Sequence, residues 1–238
     1  MKLKLSVIVL LLPFFLAAQD DVALYMKQAG GAAMLYRGYK AYTYPMAFNG
    51  TNYWDGPSFS QGEVLYNGKT YGNLLLNVDA SRQDLLVKTP SGSSEKVLSR
   101  DLVTQFTMDG RRFLNLQKVY GPAVPDGYWE VIYDGQAKVV RQVRRNLRQD
   151  LDGTFRMQMG YDNSTYRSNV YQTFLFEEVF CYVGEDGSIT PIRRRSQLLK
   201  FYKDRKREIN RHISRQEAGG RLDFASFCKA VLSYAESR

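Results

Sequence analysis

Hydrophobic and polar residues alternate with period 2 from about residue 60 to residue 192, and a period near 3.6 replaces this after Pro191. In Asn73–Asp79, Leu74, Leu76 and Val78 share one face, while Asn73, Asn77 and Asp79 point the other way with Leu75. From Thr173 to Val183, Phe174, Phe176, Phe180 and Tyr182 line one side, and Leu175, Val179, Cys181 and Val183 line the other. A strand apolar on both faces is expected to be covered on both. Arg141 to Arg148 is heavily cationic, the pattern of an exposed or edge strand.

Asn-Gly or Asp-Gly pairs punctuate these runs at Asn49, Asp55, Asn67, Asp109, Asp126, Asp134, Asp152 and Asp186. Such pairs accept positive φ cheaply, so between alternating runs they mark hairpins. Asn67-Gly68 and Asp134-Gly135 have the right flanks on both sides. Glu63–Lys69 and Glu130–Gln136 also match in type at every position. Two hairpins obeying the same turn chemistry produce this echo as readily as a duplication does.

After Pro191, Ser196 is placed to cap a helix reaching about His212, with Leu198, Tyr202, Ile209 and Ile213 as its apolar stripe. Gly219-Gly220 ends that stretch. Asp223 then caps a second helix with Phe224, Phe227, Cys228, Val231, Leu232 and Ala235 on one face, a stripe expected to lie against a sheet. Asp21 to about Ala33 reads as a short helix or a loose lead-in. The expectation is a mainly β protein with C-terminal α: an antiparallel meander of eight or more strands forming a half-barrel or open barrel, plus two C-terminal helices.

The N-terminus follows another logic. Lys2 and Lys4 precede an apolar run from Leu5 to Leu16, then Ala17, Ala18 and Gln19-Asp20-Asp21. This order is that of a secretory signal peptide over residues 1–18, and the run falls short of the roughly 20 residues a membrane span needs. The expected division is residues 1–18 as leader, 19–192 as the β-rich domain, and 193–238 as a basic helical segment packed on it. No Cys stands at the cut site, so the chain is expected to be periplasmic or extracellular and not lipid-anchored.

The formal charge of +9 falls to about +7 without the two leader lysines, an excess that favours anionic partners. Export makes nucleic acid an unsuitable one. Peripheral membrane contact fits the charge, and no later segment reads as a transmembrane helix. Cys181 and Cys228 are the only cysteines. In an oxidising compartment they can pair or stay as buried thiols, and spacing does not decide between the two.

Candidate chemistry is sparse. His212 is the only histidine and sits in a cationic stretch, so a His-based triad has no visible partner, and one His with two separated Cys does not make a zinc site. No phosphate-loop or nucleophile-elbow string occurs, and no metal or cofactor is expected. Glu177-Glu178 cannot act as a simple pair on a strand, because adjacent residues face opposite ways. Asp150-x-Asp152-Gly153 reads as a turn, lacking the remaining ligands of a calcium loop.

Two groups carry functional colour. Arg193, Arg194, Arg195, Lys203, Lys206, Arg207 and Arg211 form a basic tract that reads as a docking face for an anionic envelope component or acidic protein, or as a solubilising outer face. Tyr36, Tyr39, Tyr53 and Trp54 lie in an aromatic segment with Tyr42, Tyr44, Asn49 and Asn52. That composition suits stacking on sugar faces and equally suits strand core and rim.

The stretch Tyr66-Asn67-Gly68-Lys69-Thr70-Tyr71-Gly72-Asn73-Leu74, running on through Asp84-Leu85-Leu86-Val87, resembles a broad group of uncharacterised exported proteins of Bacteroidetes-type bacteria. The similarity continues at Leu198–Lys206 and in the final helix to Tyr234, about half the mature chain. The resemblance implies an envelope location and a β-then-helix order, and brings no activity with it. The leading functional expectation is a non-enzymatic envelope protein binding an apolar or glycan ligand in a concave sheet face, or an anionic partner. A carboxylate-dependent hydrolase of envelope glycan or peptide, and a structural subunit, are the alternatives.

Overall fold

The structure, a computed structural model, describes residues 30–44, 48–150 and 171–237. The leader, most of the Asp21–Ala33 lead-in and the Asp152-Gly153 turn lie outside the described residues.

Eleven strands form one large sheet that is not closed: β1 (Phe48–Asn49), β2 (Ser60–Tyr66), β3 (Lys69–Asp79), β4 (Asp84–Lys88), β5 (Glu95–Val97), β6 (Val103–Met108), β7 (Arg111–Asn115), β8 (Tyr128–Asp134), β9 (Lys138–Asp150), β10 (Tyr171–Val183) and β11 (Ile189–Ile192). The helices are α1 (Leu116–Tyr120), α2 (Arg195–Leu198), α3 (Lys206–Gln216) and α4 (Phe224–Glu236), with a short 3₁₀ helix at Gly30–Arg37. The expected mainly β architecture with C-terminal helices is the one found.

The order β1-β10-β9-β8-β7-β6-β2-β3-β4-β5 contains two meanders, β2 to β5 and β6 to β10, joined where β6 returns to pair with β2. All pairings are antiparallel except β1 with β10, so the sheet is mixed rather than purely antiparallel. Turn chemistry accounts for the tightest reversals. Asn67-Gly68 and Asp109-Gly110 take positive φ at both residues (49° and 76°, 53° and 69°), the type I′ geometry that matches strand twist. The Asp134-Gly135 hairpin instead has a three-residue loop and a nearby register shift, with Asp134 opposite Lys138. The two echoed segments therefore fold differently, and Tyr66 and Tyr133 enter different clusters.

The sheet curls around a core containing Trp54, Phe106, Phe113 and Tyr128, with Val87 of β4 and Val143 of β9 in the same cluster despite their separation in strand order. Two contacts draw the curl together. The Arg145 N–H donates to Ala80 O at 3.2 Å, and Gln83 Nε2 donates to Val143 O at 2.9 Å. A second cluster holds α2, α3 and α4 on β8 to β11, through Val139, Phe180, Ile192, Ile209, Phe227 and Val231. On the opposite face of the same strands, α1 covers Leu114, Trp129, Val140 and Cys181.

Three expectations are corrected. β9, read as an exposed or edge strand, is exposed at Asn146–Arg148 but is no edge: it lies between β8 and β10, because its arginines find partners, Arg141 bonding Glu130 and Glu178 and Arg145 lying over the Phe176 ring at 4.5 Å. β10 is covered at Phe180–Val183, but Leu175 and Phe176 stay exposed on the outer part of the strand. The first C-terminal helix is two pieces, α2 and α3. Its start lies at Arg194 rather than Ser196, where Gln197 Oε1 accepts the Arg193 and Arg194 N–H groups at 2.7 and 3.1 Å. The second helix follows expectation, with Asp223 Oδ1 accepting from Ser226 N at 2.9 Å.

Candidate functional site at the sheet rim

The interior of the curl is packed with side chains, Trp54 among them at 1 % exposure. An open cleft lies instead at the rim, beside the β4–β5 turn, with a volume of about 480 Å³. Residues 39–41 run along β5, through Val97 N–H to Tyr39 O and Ala41 N–H to Glu95 O, and this places Lys40 and Tyr42 on one wall. Ser93, Ser94 and Glu95 form the facing wall, where Thr89, Ser91 and Ser93 hydroxyls bond in series at 3.2 and 2.7 Å. Tyr44, Asn52, Tyr53 and Lys88 are also among the lining residues.

Asp79 organises the cleft from beneath. Its buried carboxylate accepts from Tyr44 Oη at 2.9 Å, Asn52 Nδ2 at 2.9 Å, and the Ser81 and Arg82 N–H groups at 2.9 and 3.1 Å. Those four donors compensate the cost of burying a charge there. Burial and the neighbouring Asp79 charge keep the Tyr44 phenol well above its ordinary range, so it serves as a neutral donor. Burial also raises Tyr53. Edge-to-face contacts link Tyr44 to Tyr42 (4.9 Å), Phe48 (5.6 Å) and Phe174 (5.1 Å), and the Tyr42 ring, 49 % exposed, also packs beneath the Arg82 guanidinium at 4.7 Å.

The aromatic segment thus divides. Tyr53 lines the cleft, Trp54 and Tyr36 belong to the core, and Tyr39 is 88 % exposed outside it. Alternation puts Asp79 opposite Leu76 and Val78 but does not reveal its burial, because its partners Asn52 and Tyr44 come from a segment 27 to 35 residues away.

The basic tract is also split. Arg195 is half-buried against Glu217 at 2.7 Å and over the Phe227 ring at 4.5 Å, so it serves the fold. Arg193, Arg194, Lys203, Lys206, Arg207 and Arg211 are exposed. Cys181 and Cys228 are buried free thiols in clusters on opposite faces of the sheet. Burial pushes their pKa values up to about 11 and about 12.

Glu177 and Glu178 take opposite faces, Glu177 bonding Asn146 and Glu178 bonding Arg141. Glu130 shares Arg141 with Glu178, so these two carboxylates are bridged by one guanidinium. His212 stacks on Tyr234 at 4.4 Å, remote from both. Among the described residues no group of His, Cys, Asp or Glu is arranged to hold a metal ion, and no helix is long and apolar enough to cross a membrane. No protein-family model, curated protein or solved structure matches the chain.

Proposed function

We propose that this chain is an exported envelope protein that binds a glycan, without chemistry, in the rim cleft. The observation that carries the reading is the pairing of tyrosine faces, Tyr42 at the mouth and Tyr53 within, with a hydroxyl-lined wall and an amide held by Asp79. Sugar rings present apolar faces edged by hydroxyls, and such a lining answers both. Lys40, Lys88 and Glu95 add charges that would choose among acidic and amino sugars. Export rests on the order of basic, apolar and small residues over 1–18.

The test is calorimetric titration of purified chain with soluble envelope oligosaccharides, neutral and acidic. Tyr42→Ala with Tyr53→Ala is expected to weaken binding by tenfold or more, while Tyr39→Ala leaves it unchanged. Equal loss in both variants, or an affinity indifferent to all three tyrosines, would remove the cleft from consideration. N-terminal sequencing of the cell-derived protein tests export, with a start at Asp20 or Gln19 expected.

A further inference from the structure

Cations are distributed unevenly over this molecule. On the sheet, Arg82, Arg100, Arg111, Arg112 and Arg141 each hold a carboxylate. In α3, Arg207, Arg211 and Arg215 are exposed, and none is ion-paired with a described residue. Their spacing of four places them on one ridge, turned away from Ile209 and Ile213, which are buried against α4 and the sheet. Like charges at this spacing repel and weaken the helix that carries them. No described carboxylate pairs with the ridge, so its charge is available to a partner.

The surroundings stay net cationic, with exposed Asp204 and Glu208 as the acidic residues among them. Lys203 and Lys206 are exposed at the start of α3. Beside them the Phe201 ring, stacked on Tyr182 at 4.0 Å, is still 42 % exposed. The rim cleft, a second cleft beside α1 lined by Arg100, Asn115 and Lys118, and a third between β8 and α4 lined by Tyr133, Ser226 and Lys229 hold no residue of 193–216. An extended anionic chain or a small ligand would need such a groove; a convex cationic ridge with an aromatic ring at its flank suits a flat anionic surface.

We propose that the Arg207–Arg211–Arg215 ridge of α3, flanked by Lys203, Lys206 and Phe201, docks the protein on an anionic phospholipid surface. Guanidinium forks match lipid phosphates, and the exposed ring sits at headgroup depth. Ridge and rim cleft share no residue, so this inference stands apart from glycan binding.

The experiment is co-sedimentation of the full chain with phosphatidylcholine vesicles and with equimolar phosphatidylcholine–phosphatidylglycerol vesicles. The first measures whatever the apolar leader contributes. The wild-type chain is expected to bind the anionic vesicles more tightly, with the difference vanishing at high salt. Arg207→Glu/Arg211→Glu/Arg215→Glu is expected to lose on the order of a hundredfold in that affinity. The corresponding triple Gln variant, which keeps helix propensity and adds no new charge, is expected to lose less but measurably. Circular dichroism confirms that α3 is retained in each. Variants that sediment as the wild type does would overturn the proposal. So would a ridge needed for retention on an acidic polysaccharide column but not on vesicles.

Discussion

Gln83 shows how much one side chain can fix. It sits at φ 56° in the β3–β4 turn, a left-handed conformation that costs a non-glycine residue about 1 kcal/mol. The position is held because its amide does four things at once: Nε2 donates to Ala80 O and Val143 O, while Oε1 accepts from Tyr128 N at 3.2 Å and Gln142 Nε2 at 3.1 Å. Gln83→Ala is expected to destabilise the chain by about 2 kcal/mol or more, since partners from β8 and β9 lose their bonds. Urea denaturation reads this directly. Tyr128 presents the opposite case. Its hydroxyl is fully buried with no hydrogen-bond partner among the described residues, and burial drives its pKa far upward. Tyr128→Phe deletes that orphan and keeps the ring stacked edge-on against Phe106, so stability should hold or rise by about 1 kcal/mol.

Among the elements, those whose instructions are local were legible and those whose partners are remote were not. Asn67-Gly68 turns the chain as its chemistry demands, and the stripe of Phe227, Cys228, Val231, Leu232 and Ala235 packs as its spacing requires. The break between α2 and α3 was hidden, because Phe201 leaves a helical course to stack on Tyr182 of β10, a contact that no local period encodes. The burial of Asn77 and Asp79 on β3 was hidden for the same reason. Their donors and acceptors lie in residues 44 to 58, and without those partners both would belong in water.

The helical elements also carry a titration. Arg195 and the Leu222 N–H hold the Glu217 carboxyl below its ordinary 4.5, and Ser226 holds Asp223 below its ordinary 3.8. Depressed folded values mean that this stabilisation is complete above those ordinary values and is lost as pH falls through the folded ones. The C-terminal helices should therefore loosen in acid, beginning below about pH 4.5, as read by far-UV circular dichroism. Glu217→Gln should flatten the upper part of that transition. Asp223→Ala, which removes the α4 cap, should cost about 1 kcal/mol at neutral pH.

For the molecule as a whole, the curl depends on a join that sequence order conceals. β6 passes over its nearer neighbour β5 and pairs with β2, so two locally built meanders meet along one ladder. Gly62 lies in that ladder because the approach is too close for any side chain: a Cβ there would stand 2.0 Å from Thr107 O.

This join has a kinetic meaning. Each meander pairs strands that are consecutive along the chain, the widest separation being the 20 residues between Asp150 and Tyr171, whereas bringing β2 and β6 together means closing a loop of about 40 residues before any contact rewards it. The ladder is thus the natural bottleneck of refolding, and Gly62→Ala should slow the refolding limb of a stopped-flow chevron. Weakening a peripheral hairpin such as β4–β5 should mainly hasten unfolding.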